Sequence, residues 1–152
     1  MKKYIRENTV KSFFGNLVAN IIISTIILWN TSGILLNYDN STFMKNILPP
    51  LFFSIVVTSL ITFFTLISGR KNGQIALSIN PNATWFHKAI LNGILTGACF
   101  TMITLGLIVL CQNIIENVEI PKIQFIIISA LFIAIFASVA SIILAKMAAK
   151  IK

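Results

Sequence analysis

Acidic residues are scarce in this chain of 152 residues, where 4 Asp and Glu stand against 12 Lys and Arg and charged residues make up only 11% of the total. A water-soluble domain of ordinary composition is about 25% charged. With 57% of its residues hydrophobic, the chain has too little polar surface to cover a water-facing globule. The composition therefore excludes an ordinary soluble domain and indicates a protein surrounded largely by lipid.

The residues that usually carry chemistry are also rare. His87 is the single histidine, and no nucleotide-binding loop, catalytic triad or pair of carboxylates is present in the sequence. Cys99 and Cys111 lie on one predicted helix, where their separation corresponds to a rise of about 18 Å, too far for a disulfide. We therefore predict no catalytic residue, no metal site, no cofactor and no enzymatic activity.

Four apolar stretches are each long enough to cross a bilayer as a helix, which takes about 20 residues. No Asp, Glu, Lys, Arg or His lies inside them, which argues against a proton relay. Pro49 and Pro50 are expected in the first turn of the second span, where a missing N–H costs little. We predict an all-α polytopic membrane protein with residues 1–152 as a single four-helix membrane domain. Its spans run from about Phe13 to Trp29, with an extension to Leu36 left open, then Ile47 to Ser68, Ala89 to Cys111 and Ile123 to Ala145.

The basic residues are distributed unevenly along the chain. The two connections that hold Lys45 and Lys122 also hold three of the four acids. Because Lys and Arg collect on the cytoplasmic side of short membrane loops, we predict that both termini are cytoplasmic, and we attribute the net charge of +8 to topology rather than to nucleic-acid binding. The abundance of Ile, Asn and Lys indicates a bacterial source, hence the cytoplasmic (inner) membrane. The other ten bases lie at the termini and between the second and third spans: Lys2, Lys3, Arg6, Lys11, Arg70, Lys71, Lys88, Lys146, Lys150 and Lys152.

The two halves have similar layouts, and we predict two similar hairpins, at residues 8–71 and 82–150. The likeness has two explanations: a duplication, or the pattern that any four-span protein obeying the charge rule shows. The connections ILLNYDNSTFMKNILPPLFFSIVV and IVLCQNIIENVEIPKIQFIIISALFI, with the basic exits GRK and AKMAAK, resemble a group of uncharacterised bacterial inner-membrane proteins built from a two-helix unit, present here in tandem. The resemblance implies a fold and no activity.

Polar residues recur every four positions on the first two spans, so each set shares one helix face. An Asn facing lipid is costly, and we expect this polar face to point inward. One interpretation is hydrogen bonding between helices, and the other is a groove that binds or passes a small solute. The polar face comprises Asn16, Asn20 and Ser24 on the first span and Ser54, Thr58 and Thr62 on the second.

Small residues recur in the same way on the third and fourth spans, where they permit close approach of a neighbouring backbone. They indicate either packing within one chain or a dimer interface. We expect a structural or accessory membrane protein that packs against a membrane-protein partner or against itself as a homo-oligomer, within the lipid bilayer. The alternative is a small oligomeric transporter or channel lined by the polar face. The small-residue faces comprise Gly93, Gly97 and Thr101, and Ala130, Ala134 and Ser138.

Overall fold

The computed structural model describes residues 2–30, 33–36, 41–73, 84–112 and 118–149. Four of its helices are long and apolar enough to cross a membrane, which confirms the predicted number of spanning helices. The predicted connection around residues 74–83, the outer loop around residues 113–117, and Lys150 and Lys152 lie outside the described residues. The elements in chain order are α1 (Lys2–Ile27), β1 (Gly33–Leu36), α2 (Ser41–Lys71), α3 (Trp85–Gln112), β2 (Val118–Pro121) and α4 (Lys122–Ala149).

Side-chain contacts show that helices adjacent in the sequence run antiparallel. Near the start of α1, Asn8 bonds to Thr62, which lies late in α2. The hydroxyl of Ser59 donates to the carbonyl of Ala89 near the start of α3. The start of α1, the end of α2 and the start of α3 therefore lie at one end of the bundle. This end carries most of the described cations.

The bundle is built around α2 and α4, which contact each other along the middle. In the most apolar segment of each helix, 39% of the residues of α2 and 44% of those of α4 are buried inside the bundle. The corresponding shares are 11% for α1 and 22% for α3. Helix α1 packs chiefly against α4, and α3 packs chiefly against α2. The helices of each predicted hairpin make few direct contacts with each other, so the structure does not show the two hairpins as packing units.

A two-stranded antiparallel ribbon closes the opposite end of the bundle. Gly33 pairs with Pro121 and Leu36 with Val118, which joins the connection between α1 and α2 to the connection between α3 and α4. Sequence reasoning missed this ribbon, and the extension of the first span to Leu36 is wrong because α1 ends at Ile27. The ammonium of Lys122 donates to the carbonyl of Trp29 at 2.9 Å, satisfying a backbone group just beyond the end of α1.

The position of Pro49 and Pro50 also differs from the prediction. Helix α2 begins at Ser41, so both prolines lie inside the helix rather than in its first turn. Proline has no N–H to donate to the preceding turn. The helix nevertheless continues to Lys71 because its buried face, including Leu51 and Ile55, packs into the core.

Small residues set the close contacts between the helices. A Cβ added at Gly93 would lie 2.9 Å from the Cβ of Ser59 and 3.2 Å from the Cα of Val56, and one added at Gly97 would lie 3.1 Å from the Phe52 ring. On α4, Ala130 and Ala134 are fully buried. These faces are therefore occupied by packing within the chain.

The close approach of α3 to α2 predicts that Gly93→Ala destabilises the protein. The added Cβ has no space beside Ser59 and Val56, and such overpacking costs about 1–3 kcal/mol. Gly106→Ala on the same helix is the matched control, because its Cβ meets nothing within 4 Å and Ala is about 0.5–1 kcal/mol better than Gly inside a helix. Thermal unfolding in detergent should give Tm shifts of opposite sign. Equal shifts would contradict the observed packing.

Candidate binding groove between α1 and α2

Three asparagines on α1 donate side-chain hydrogen bonds to three hydroxyls on α2. Asn8 Nδ2 lies 3.1 Å from Thr62 Oγ1, and Asn16 Nδ2 lies 3.0 Å from Thr58 Oγ1. The third bond joins Asn20 Nδ2 to Ser54 Oγ at 3.1 Å. These bonds form a polar ladder between two antiparallel helices.

The ladder holds α1 and α2 together through side chains, although their backbones come close at few positions. An asparagine side chain is long enough to bridge a gap between helices, whereas small residues bring backbones together. Asn16 and Asn20 also donate to backbone carbonyls one turn earlier, those of Ser12 and Asn16, at 2.8 Å each. These local bonds orient both side chains towards α2.

Below the Asn20–Ser54 bond, the space between the two helices forms a groove with a volume of about 420 Å³. This volume falls within the range of about 300–1,000 Å³ that is typical of ligand sites. From Asn8 to Ala19 the groove extends along α1 for about 16 Å, at 1.5 Å per residue. We call it the α1–α2 groove. It is lined by Asn8, Lys11, Ser12, Gly15, Asn16, Ala19, Val57, Thr58, Ile61, Thr62 and Thr65.

The floor and the rim of the groove differ in polarity. Asn8, Thr58 and Thr62 are buried and form the floor. Gly15 and Ile61 are exposed on the rim, which in a bilayer faces lipid. The groove is therefore largely apolar, with a few polar groups in its floor, and it opens on the lipid-facing side of the bundle.

The ladder leaves hydrogen-bonding capacity in the groove floor. A backbone carbonyl can only accept, so the Nδ2 of Asn16 must be the atom that donates to Ser12, and its Oδ1 remains an acceptor. The hydroxyls of Thr58 and Thr62 accept from asparagines, and no donation by either hydroxyl is found among the described residues. The floor therefore offers both donors and acceptors to a ligand.

The charge of the groove is positive. Lys11 lines it and is exposed. Lys3 and Arg6 lie on the same helix, with Glu7 as the one acid within α1. None of these four side chains forms an ion pair with another described residue. The charge of Lys11 is therefore available to an anion.

The predicted polar face divides into two parts in the structure. Asn16, Thr58 and Thr62 line the groove. Asn20, Ser24 and Ser54 lie beyond its deep end, where Asn20 and Ser24 are 1% and 5% exposed. The Oδ1 of Asn20 is buried without a hydrogen-bond partner in the described part of the chain. The polar face is thus a closed helix contact at mid-span and an open groove nearer the start of α1.

Sequence reasoning missed Asn8, Lys11 and Gly15, and also the rim residues Ala19, Val57 and Ile61. The first span was predicted to begin at about Phe13, but α1 begins at Lys2 and is continuous through the preceding residues. The signal was present, because Asn8 extends the four-residue period of Ser12, Asn16 and Asn20 by one turn.

The remaining predicted residues lie away from the groove. Thr101 is half-buried on α3, and its hydroxyl has no hydrogen-bond partner among the described residues. Ser138 on α4 donates to the carbonyl of Ala134 at 2.7 Å. His87 is exposed near the start of α3, and the described residues contain no cluster of three or more His, Cys, Asp or Glu that could hold a metal.

Comparisons of the chain with protein-family models, with curated proteins and with solved structures found no match. The resemblance to proteins built from a two-helix unit therefore stays a prediction.

The ladder predicts a measurable coupling between Asn20 and Ser54. In a double-mutant cycle of Asn20→Ala and Ser54→Ala, we expect a coupling energy of about 0.6 kcal/mol, the average for such bonds in membranes. The measurement is the free energy of unfolding in detergent micelles.

The matched control is a second double-mutant cycle, which combines Asn92→Ala with Ser54→Ala. Asn92 donates to the carbonyl of Lys88 on its own helix, so its coupling to Ser54 should be close to zero. A coupling of the same size in both cycles would contradict the interhelical bond.

Proposed function

We propose that this protein is a non-catalytic membrane protein that binds an amphiphilic molecule in the α1–α2 groove. The observation that carries the proposal is a hydrogen-bonding floor reached through an apolar rim. The floor hydroxyls of Thr58 and Thr62 accept hydrogen bonds from asparagines and can each still donate one, so a ligand with polar atoms can pair with them on entering. Its apolar part can remain against the lipid-facing rim.

Binding is better supported than conduction through a single chain. The groove ends near Ala19, and beyond it Asn20 and Ser54 are bonded to each other. Its length of about 16 Å is roughly half of a 30 Å hydrocarbon core. A transporter remains the alternative, and it requires that the Asn20–Ser54 contact open.

The proposed location is the bacterial cytoplasmic membrane, with both termini in the cytoplasm. The support is the charge distribution, since the start of α1, the end of α2 and the end of α4 carry Lys3, Arg70 and Lys146. In this orientation the groove lies in the cytoplasmic leaflet.

A structural or accessory role is a second candidate, with docking on the outer face of α3. Gly93 and Gly97 are occupied by α2, so a partner cannot use them. The outer face of α3 is open around Gly106, where an added Cβ meets nothing within 4 Å. A second copy of the chain could pack closely there.

Cysteine cross-linking tests self-association through α3. Cys99 and Cys111 are both exposed on this helix, so a copy packed on it should give a disulfide-linked dimer on mild oxidation in native membranes. Cross-linking should be lost when Gly106→Leu adds bulk to the face. The absence of a dimer, or a dimer unaffected by Gly106→Leu, would refute this role for α3.

Cysteine accessibility tests the groove. In a Cys99→Ala, Cys111→Ala background, Gly15→Cys places a thiol on the groove wall, where an added Cβ meets nothing within 4 Å. We expect a small water-soluble thiol reagent to label it in membranes, because the polar groups of the floor can hold water when no ligand is bound.

Two control variants define the expected contrast. Phe14→Cys lies at nearly the same depth but on an exposed face outside the groove, and Ser24→Cys lies in the buried contact beyond it. Both should react much more slowly than Gly15→Cys. If Gly15→Cys and Phe14→Cys react at the same rate, the groove is dry and the proposed function fails.

A further inference from the structure

We infer that the ligand of the α1–α2 groove is an anionic phospholipid of the surrounding leaflet. The inference rests on the proposed function and adds the chemical class of the ligand. It follows from four properties of the groove: its opening, its size, its hydrogen-bonding groups and its charge.

The opening indicates that the ligand arrives from the membrane. The rim residues Gly15, Ala19, Val57 and Ile61 are exposed on the side of the bundle, at positions along α1 and α2 that lie within the spanning segments. Lipid is the medium that meets this rim.

The size favours a lipid over a second copy of the chain. A helix is about 10–12 Å across with its side chains, so a 16 Å length occupies more than about 1,000 Å³. The groove has a volume of about 420 Å³, so a helix could not sink into it along its length. This space is suited to a phosphate, a glycerol backbone and the first part of an acyl chain.

The hydrogen-bonding groups favour a headgroup over an acyl chain alone. The hydroxyls of Thr58 and Thr62 can donate to ester or phosphate oxygens, and the Oδ1 of Asn16 can accept from a headgroup hydroxyl. A chain of methylenes would cover these groups without pairing them, at a cost of about 1–3 kcal/mol for each unsatisfied group.

The charge favours an anionic headgroup. The one cation in the lining, Lys11, forms no ion pair among the described residues. It lies one turn from the floor residue Asn8, at the end of the groove nearest the membrane surface. A cation at this level attracts an anionic lipid by about 1 kcal/mol.

Native mass spectrometry with added lipids tests the inference. The protein in a neutral detergent is titrated with phosphatidylglycerol or with phosphatidylcholine of the same acyl chains. We expect one phosphatidylglycerol to bind in preference to phosphatidylcholine, and Lys11→Gln to weaken its binding about five-fold, the equivalent of 1 kcal/mol. Inorganic phosphate and glycerol phosphate, which lack acyl chains, should not compete.

Matched variants separate the groove from general surface charge. Lys146→Gln removes an exposed cation from α4 at the same end of the bundle and should change binding less than two-fold. Gly15→Leu adds bulk to the groove lining at a position where the added Cβ meets nothing within 4 Å, so it should abolish the bound lipid while the Tm is kept. Gly106→Leu is the size control and should leave binding unchanged.

The outcomes distinguish this inference from the proposed function. Equal binding of the two lipids, or equal losses from Lys11→Gln and Lys146→Gln, overturns the anionic lipid as ligand. If Gly15→Cys is still labelled selectively in that case, the groove remains a binding site for another amphiphile. If Gly15→Leu leaves lipid binding intact, the groove is not the lipid site and the inference fails.

Discussion

The distance between neighbouring helices is the constraint on which the rest of this structure depends. Within a bilayer, lipid tails solvate apolar side chains as well as another helix does, so association depends on close packing and on polar contacts. Gly93 brings α3 against the backbone of α2, and Ala134 and Ala137 of α4 are fully buried in the bundle. Asn8 and Asn16 instead bridge α1 to α2 through their side chains. The wider gap that results is the α1–α2 groove.

The groove combines two requirements that normally conflict in lipid. Polar groups at membrane depth need partners, because water is absent there. At mid-span this requirement is met by contact between Asn20 and Ser54. Nearer the start of α1, Thr58 and Thr62 accept from asparagines and donate to no other residue in the described part of the chain. A site with unused donors, an exposed rim and the cation of Lys11 is suited to a molecule that is itself polar at one end and apolar at the other.

Sequence patterns predicted the spans better than their ends. The prediction that the first span could continue to Leu36 failed because strand pairing depends on a partner, Val118–Pro121, more than eighty residues away. Pro49 and Pro50 were predicted in the first turn of the second helix, but α2 begins at Ser41, before both prolines. Proline is favoured in a first turn, but it does not by itself mark where a helix begins. Asn8 precedes the predicted start of the first span at about Phe13, and only its four-residue period with Ser12 and Asn16 places it on the same helix.

The sequence by itself determined the four apolar helices and the polar and small-residue faces, because these depend on composition and on helical periodicity within one segment. It also determined the collection of cations at one end of the bundle. Only the tertiary structure decided that α1 packs against α4 and α3 against α2. A helix face made of small residues can pack against more than one neighbouring helix, so the sequence of one helix does not select its partner. The same pairing decided that half of the polar face is a closed contact and the other half an open groove. That division depends on the distance between two helices, which no single helix encodes.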